Sequence, residues 1–195
     1  MVLLAAVALT TLLANSATRL RFTALAFFAV SISANVIAAG ATTAAQVAVL
    51  AVAGLAAAGI LFISARDGNY GEDPGWRLWV ATLIAAIATP AAFASFRTIT
   101  GEAVTDLPLF AADSGSVVVQ VASFWLLSSG TAILVTARSA VRTSLGALLM
   151  LTGVQLLMRY APGPQLELTI AVAWVELVVA LTGAFLIVNE RAVRE

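Results

Sequence analysis

A polytopic α-helical membrane bundle is the fold this sequence predicts, and three observations predict it. Hydrophobic residues fill 62% of the 195 positions, with a mean hydropathy of +1.03. Only 10% are charged, against roughly a quarter in soluble domains. The apolar residues also fall in long runs, separated by short breaks that hold Arg, Asp, Gly and Pro. Backbone polar groups cannot go unpaired in lipid, so each run crosses as a helix or as one strand of a closed barrel. Barrel strands alternate over about ten residues. These Ala/Leu/Val runs are longer and apolar throughout, which predicts helices.

Seven spans follow, at 1–17, 22–40, 45–65, 78–96, 116–137, 142–159 and 166–189. A helical span needs about 17 to 25 residues. The first is the shortest. It has no charged segment before it and no clear cleavage site after it, so it reads as a retained span. The second begins after Arg19 and Arg21. The third carries Gly54 and Gly59 in an Ala-rich stretch where helices can approach closely, and it ends at Arg66. The fourth follows Trp76 and includes Trp79, both suited to the membrane interface, and contains Pro90, expected to kink it. The fifth follows a loop with Glu102, Asp106 and Asp113. The sixth opens at Arg142. The seventh holds Glu176, the one acid in its apolar run from Leu168 to Val188, and ends near Arg191.

Arginine sets the expected orientation. Arg19, Arg21, Arg66, Arg77, Arg138, Arg142, Arg191 and Arg194 fall on one side of a seven-span chain, and Arg97 and Arg159 on the other. The positive-inside bias then puts the N-terminus out and the C-terminus in the cytoplasm.

The order of spans suggests two parallel three-helix repeats. Residues 1–66 form the first and 116–195 the second. Residues 67–115 supply one extra span and the outer acidic loop. The segment from Ala17 to Thr23 resembles that from Ala137 to Thr143, each with two arginines before a Thr.

Glu176 is the residue most suggestive of function. It lies roughly 13 Å into its span, near mid-depth. An intramembrane carboxylate is costly and marks an ion or proton site by default. Its structural alternative is a neutral, hydrogen-bonded packing residue. Gln155 on the preceding span can face the same path, as proton-neutral support or as interhelical glue. Thr152 and Thr182 are further candidates to support a water chain. Arg138 and Arg142 at the inner rim either bias Glu176 electrostatically or meet lipid headgroups. Ser31, Ser33 and Asn35 read as ordinary interhelical polar residues.

Other chemistry is excluded or unsupported. Lys, His and Cys are absent, which removes thiol chemistry and most transition-metal and haem ligation. A Ser–His–Asp set is impossible. No phosphate-cradling Gly loop, nucleophile elbow or nucleic-acid patch occurs. No cofactor, metal or nucleic-acid partner is expected, and no catalytic centre of its own.

The stretch Arg142-Thr143-Ser144-Leu145-Gly146, then Leu149 to Gln155, then Ala171-Val172-Ala173-Trp174-Val175-Glu176, resembles subunit K of respiratory complex I and the matching small subunit of multisubunit cation/proton antiporters. Glu176 matches the glutamate of that family's last span. Gln155 stands where the family has a middle-span glutamate, so one of two relay carboxylates is absent. The full chain, in span order and tail, is similar to component E of the hydrogenase-4 and formate-hydrogenlyase type. The resemblance implies a small multi-pass subunit of the inner (cytoplasmic) membrane, with antiporter-like and core membrane subunits as partners. It implies a share in proton or cation translocation within an oxidoreductase complex. A purely structural subunit and a stand-alone ion-coupled transporter are the rival expectations.

Overall fold

The computed structural model describes residues 2–17, 20–39, 43–65, 75–100, 114–158 and 165–194. Among these are seven α-helices and no strand: α1 (Val2–Ser16), α2 (Leu20–Ala38), α3 (Ala44–Ser64), α4 (Gly75–Thr100), α5 (Ser114–Thr136), α6 (Ala140–Leu157) and α7 (Gln165–Arg194). Six are long and apolar enough to cross a membrane. The chain is thus an all-α polytopic bundle. The exception is α1, whose 15 residues fall short of the roughly 17 that a span needs. The acidic loop with Glu102, Asp106 and Asp113 lies outside the described residues, as do Arg19, Arg66 and Arg159.

Helix starts are built where the sequence offers caps. Thr43 accepts from the Gln46 backbone N–H, and Gln46 Oε1 accepts in turn from the Thr43 N–H at 3.0 Å, a capping box that opens α3. Ser139 accepts from the Arg142 N–H at the start of α6. Across the α6–α7 interface Glu190 Oε2 takes the Ala140 N–H at 3.0 Å. A carboxylate there suits the positive end of the helix. Pro90 sits exposed within α4, which runs on through it.

Consecutive helices are antiparallel. Gly130 meets Gly146 while Ser123 meets Gly153, so α5 and α6 run in opposite senses. A Cβ on Gly130 would lie 2.6 Å from the Gly146 carbonyl oxygen, so glycine sets this close crossing. By contrast α3 and α7 are parallel, because Gly54 faces Glu176 and Leu61 faces Gly183.

The helices form two layers. One holds α1, α2 and α3; the other holds α4, α5, α6 and α7. Across the layers α1 packs on α5, α2 on α6 and α3 on α7. The span of α5 is 67% buried and that of α4 only 22%, which puts α5 at the centre and α4 at the edge. Outward faces are apolar: Leu55 and Ile63 on α3, Leu83 and Ile87 on α4, Val178 and Phe185 on α7 are all exposed. Such faces suit acyl chains.

One end of the bundle gathers the arginines. Arg21 lies over the Phe62 ring near the end of α3. Arg77 donates to the Thr136 carbonyl at 3.4 Å, at the end of α5. Arg142 donates to Asn15 and Ala17 at the end of α1. Arg97, in the last turn of α4, is at the opposite end.

Candidate functional site

Glu176 is 1% exposed and sits where α7 meets α2, α3 and α6. It belongs to the buried stripe of α7 that includes Val172, Ala180, Gly183 and Ile187, spaced as one face of a helix requires. The side chain therefore points into protein, away from acyl chains. Gln155 Nε2 donates to Glu176 Oε2 at 2.8 Å. The other carboxylate oxygen faces the first layer. A Cβ on Gly54 would lie 3.8 Å from Glu176 Oε1 and would collide with Ser31 Oγ. The missing side chain of Gly54 is the room that Ser31 and Glu176 share.

The site thus draws Ser31 and Gly54 from α2 and α3, and Gln155 and Glu176 from α6 and α7. Chemically it is a carboxyl group with one oxygen fixed as an acceptor. Because the Gln155 amide donates to Oε2, a proton carried by the carboxyl sits on Oε1, toward Ser31. Among the described residues no three His, Cys, Asp or Glu side chains come together to hold a metal.

The remaining sequence candidates are placed as follows. Thr152 is buried on α6, one turn before Gln155, and its hydroxyl donates to the Leu148 carbonyl at 2.9 Å. Its proton is committed to its own helix; only its lone pairs face outward. Thr182 is exposed and donates to the Val178 carbonyl, so it turns away from Glu176. Arg138 is exposed at the arginine end.

Arg142 is 6% exposed and not turned to headgroups. Its Nη1 donates to Asn15 Oδ1 at 3.1 Å and its Nη2 to the Ala17 carbonyl at 3.0 Å. A cation at the end of α1 satisfies carbonyl groups that a helix terminus leaves unpaired. The 13 residues from Arg142 to Gln155 correspond to about 20 Å of helix, so Arg142 acts on α1 and not on Glu176.

Polar groups do not continue evenly from Glu176 to the arginine end. Leu61, Leu145, Leu148, Leu149 and Ala180 are each at most 2% exposed and fill the space between. Beyond Thr152, one turn of α6 from Gln155, the next polar group there is Ser144, whose Oγ occupies the place that a Gly183 Cβ would take. Gly183 is seven residues beyond Glu176, about 10 Å along α7.

Ser31 and Gly54 are neighbours of Glu176 that the sequence alone does not single out. The available signal was a Ser ten residues after Arg21, matching Thr152 ten after Arg142. No protein-family model, curated protein or solved structure matches this chain.

Proposed function

We propose that this chain is a small integral subunit of a complex-I-like or membrane-bound hydrogenase-type assembly, in which Glu176 passes protons within the membrane. The observation that carries the proposal is the enclosure of Glu176 among four helices, bonded to Gln155 and facing Ser31. An apolar residue would fill that space at lower cost, and an acid is retained there. The C-terminal resemblance to subunit K supports the same assignment. The arginine-rich end then faces the cytoplasm.

The leucine layer between Glu176 and Ser144 favours a lateral route. The proton on Oε1 exchanges toward Ser31 and the first layer, and not straight down α7 to the arginine end. Gln155 does not ionise. It holds the carboxyl and selects which oxygen carries the proton. The partners are the antiporter-like and core membrane subunits, which supply the rest of the path.

A structural role is the second reading, and the tight apolar packing around Glu176 favours it. Proton pumping by the assembled complex separates the two. Glu176→Gln keeps the shape and the hydrogen-bonding capacity but cannot ionise. The proton-transfer reading expects pumping to fall by about tenfold or more with assembly intact, and Glu176→Asp to retain part of it. Full pumping by an assembled Glu176→Gln complex rejects proton transfer and leaves the structural role. Ion-coupled uptake by the purified chain alone in liposomes points instead to a stand-alone transporter.

A further inference from the structure

The edge helix α4 carries a gap in its own backbone pairing. Pro90 has no N–H, so the Ala86 carbonyl loses the donor that an α-helix supplies one turn on. Ala86 and Pro90 are both exposed and lie near the middle of the span Trp76–Ile99. A hydroxyl of the same helix can answer such a carbonyl. Here the neighbouring Thr89 donates instead to the Ala85 carbonyl, at 2.7 Å. The acceptor is thus left on an outward face, at a depth where water is absent and acyl chains offer no donor.

The same face continues into a groove. Thr82, Ala86 and Pro90 follow one another a helical turn apart and so share one side of α4. Toward the arginine end, Leu78, Trp79 and Thr82 stand across from Leu9, Leu12 and Leu13 of α1, around a groove of about 390 Å³. Leu9, Leu13 and Trp79 are 60%, 62% and 78% exposed. The hydroxyls in the groove serve their own helices: Ser16 donates to the Leu13 carbonyl at 3.3 Å and Thr82 to the Leu78 carbonyl at 2.9 Å.

We propose that this face of α4, with the α1–α4 groove, seats a transmembrane helix of a different chain, whose Ser, Thr, Asn or Gln side chain donates to the Ala86 carbonyl. An acyl chain can fill the groove but brings no donor. A second copy of this chain brings none either. Two copies with one topology meet about an axis along the membrane normal, which sets like against like: acceptor faces acceptor, and the groove hydroxyls are already committed. Ala86 and Pro90 are small enough for a partner backbone to come close, as polar contacts between membrane helices require. The inference rests on the reading of this chain as a subunit, and not on proton transfer by Glu176.

Photo-crosslinking in intact cells tests it, with p-benzoylphenylalanine in place of Leu83, which is 61% exposed on that side of α4. Light should join the full chain to one other chain, at a membrane span that holds a Ser, Thr, Asn or Gln. Pro90→Ala returns the missing N–H and pairs the Ala86 carbonyl within α4. It should speed dissociation of that other chain in mild detergent by about threefold, the typical worth of one hydrogen bond between membrane helices. The isolated Pro90→Ala chain should unfold at no lower temperature than the parent. Should it not fold, replacing the mapped donor of the other chain by Ala gives the same test. Adducts to lipid alone or to a second copy overturn the proposal, and so does an unchanged dissociation rate. Other chains that co-purify while the Leu83 position reaches only lipid overturn it and keep the subunit reading. A chain that purifies alone overturns both.

Discussion

Gln155 on α6 donates to Glu176 on α7 across 2.8 Å, inside a bundle whose outer faces are apolar. The contact joins antiparallel neighbours at mid-depth. It fixes one oxygen of the carboxyl and leaves the other toward Ser31 and Gly54.

Removing that donor isolates the acid. Gln155→Leu is expected to lower bundle stability by about 1–3 kcal/mol, the range for leaving a buried polar group unpaired. Thermal unfolding in detergent measures it. A double-mutant cycle with Glu176→Gln checks the cause: the combined loss should fall short of additive, because the two side chains share one bond.

Gly54 should tolerate no larger residue. A Cβ there would collide with Ser31 Oγ and stand 2.9 Å from Ser31 Cβ. Gly54→Ala is expected to destabilise by about 1–3 kcal/mol through overpacking. Ser31→Gly in the same chain should recover most of the loss, again read by thermal unfolding.

Arg142 should hold α1 in place. Its replacement by Met keeps the apolar stem but leaves Asn15 Oδ1 without its Arg142 donor and the Ala17 carbonyl with only the longer bond from the Thr23 hydroxyl. Hydrogen bonds from a charged group are worth about 1.5–3 kcal/mol each. The chain has no cysteine, so a single Cys at Ala14, which is fully buried, reports on α1 alone. Maleimide should label it slowly with Arg142 present and at least about tenfold faster in Arg142→Met, since about 1.4 kcal/mol is tenfold in population.

Much of the fold is legible in the sequence, because long apolar runs between polar breaks leave helices as the one structure that pairs every backbone group. Glu176 is legible for a related reason: a lone acid in such a run stands out. What is not legible is how each helix is turned about its axis. Runs such as Ala44–Ser64 are apolar on all sides, so nothing in the pattern says that Gly54 faces α7. The same ambiguity hid the outward turn of Thr182 and the role of Ser31. Arg142 misleads in another way. Its position at a helix start matches a headgroup contact, but its long side chain reaches inward to carbonyl groups that α1 leaves open.

In the proposed mechanism Glu176 takes up and releases a proton as the complex turns over. Infrared difference spectroscopy of the assembled complex measures this directly, through the C=O stretch of a protonated carboxyl. The expected result is a carboxyl band that changes during turnover and is missing in Glu176→Gln. A Glu176 band that stays constant through turnover, or a difference spectrum unaltered by the substitution, would contradict it.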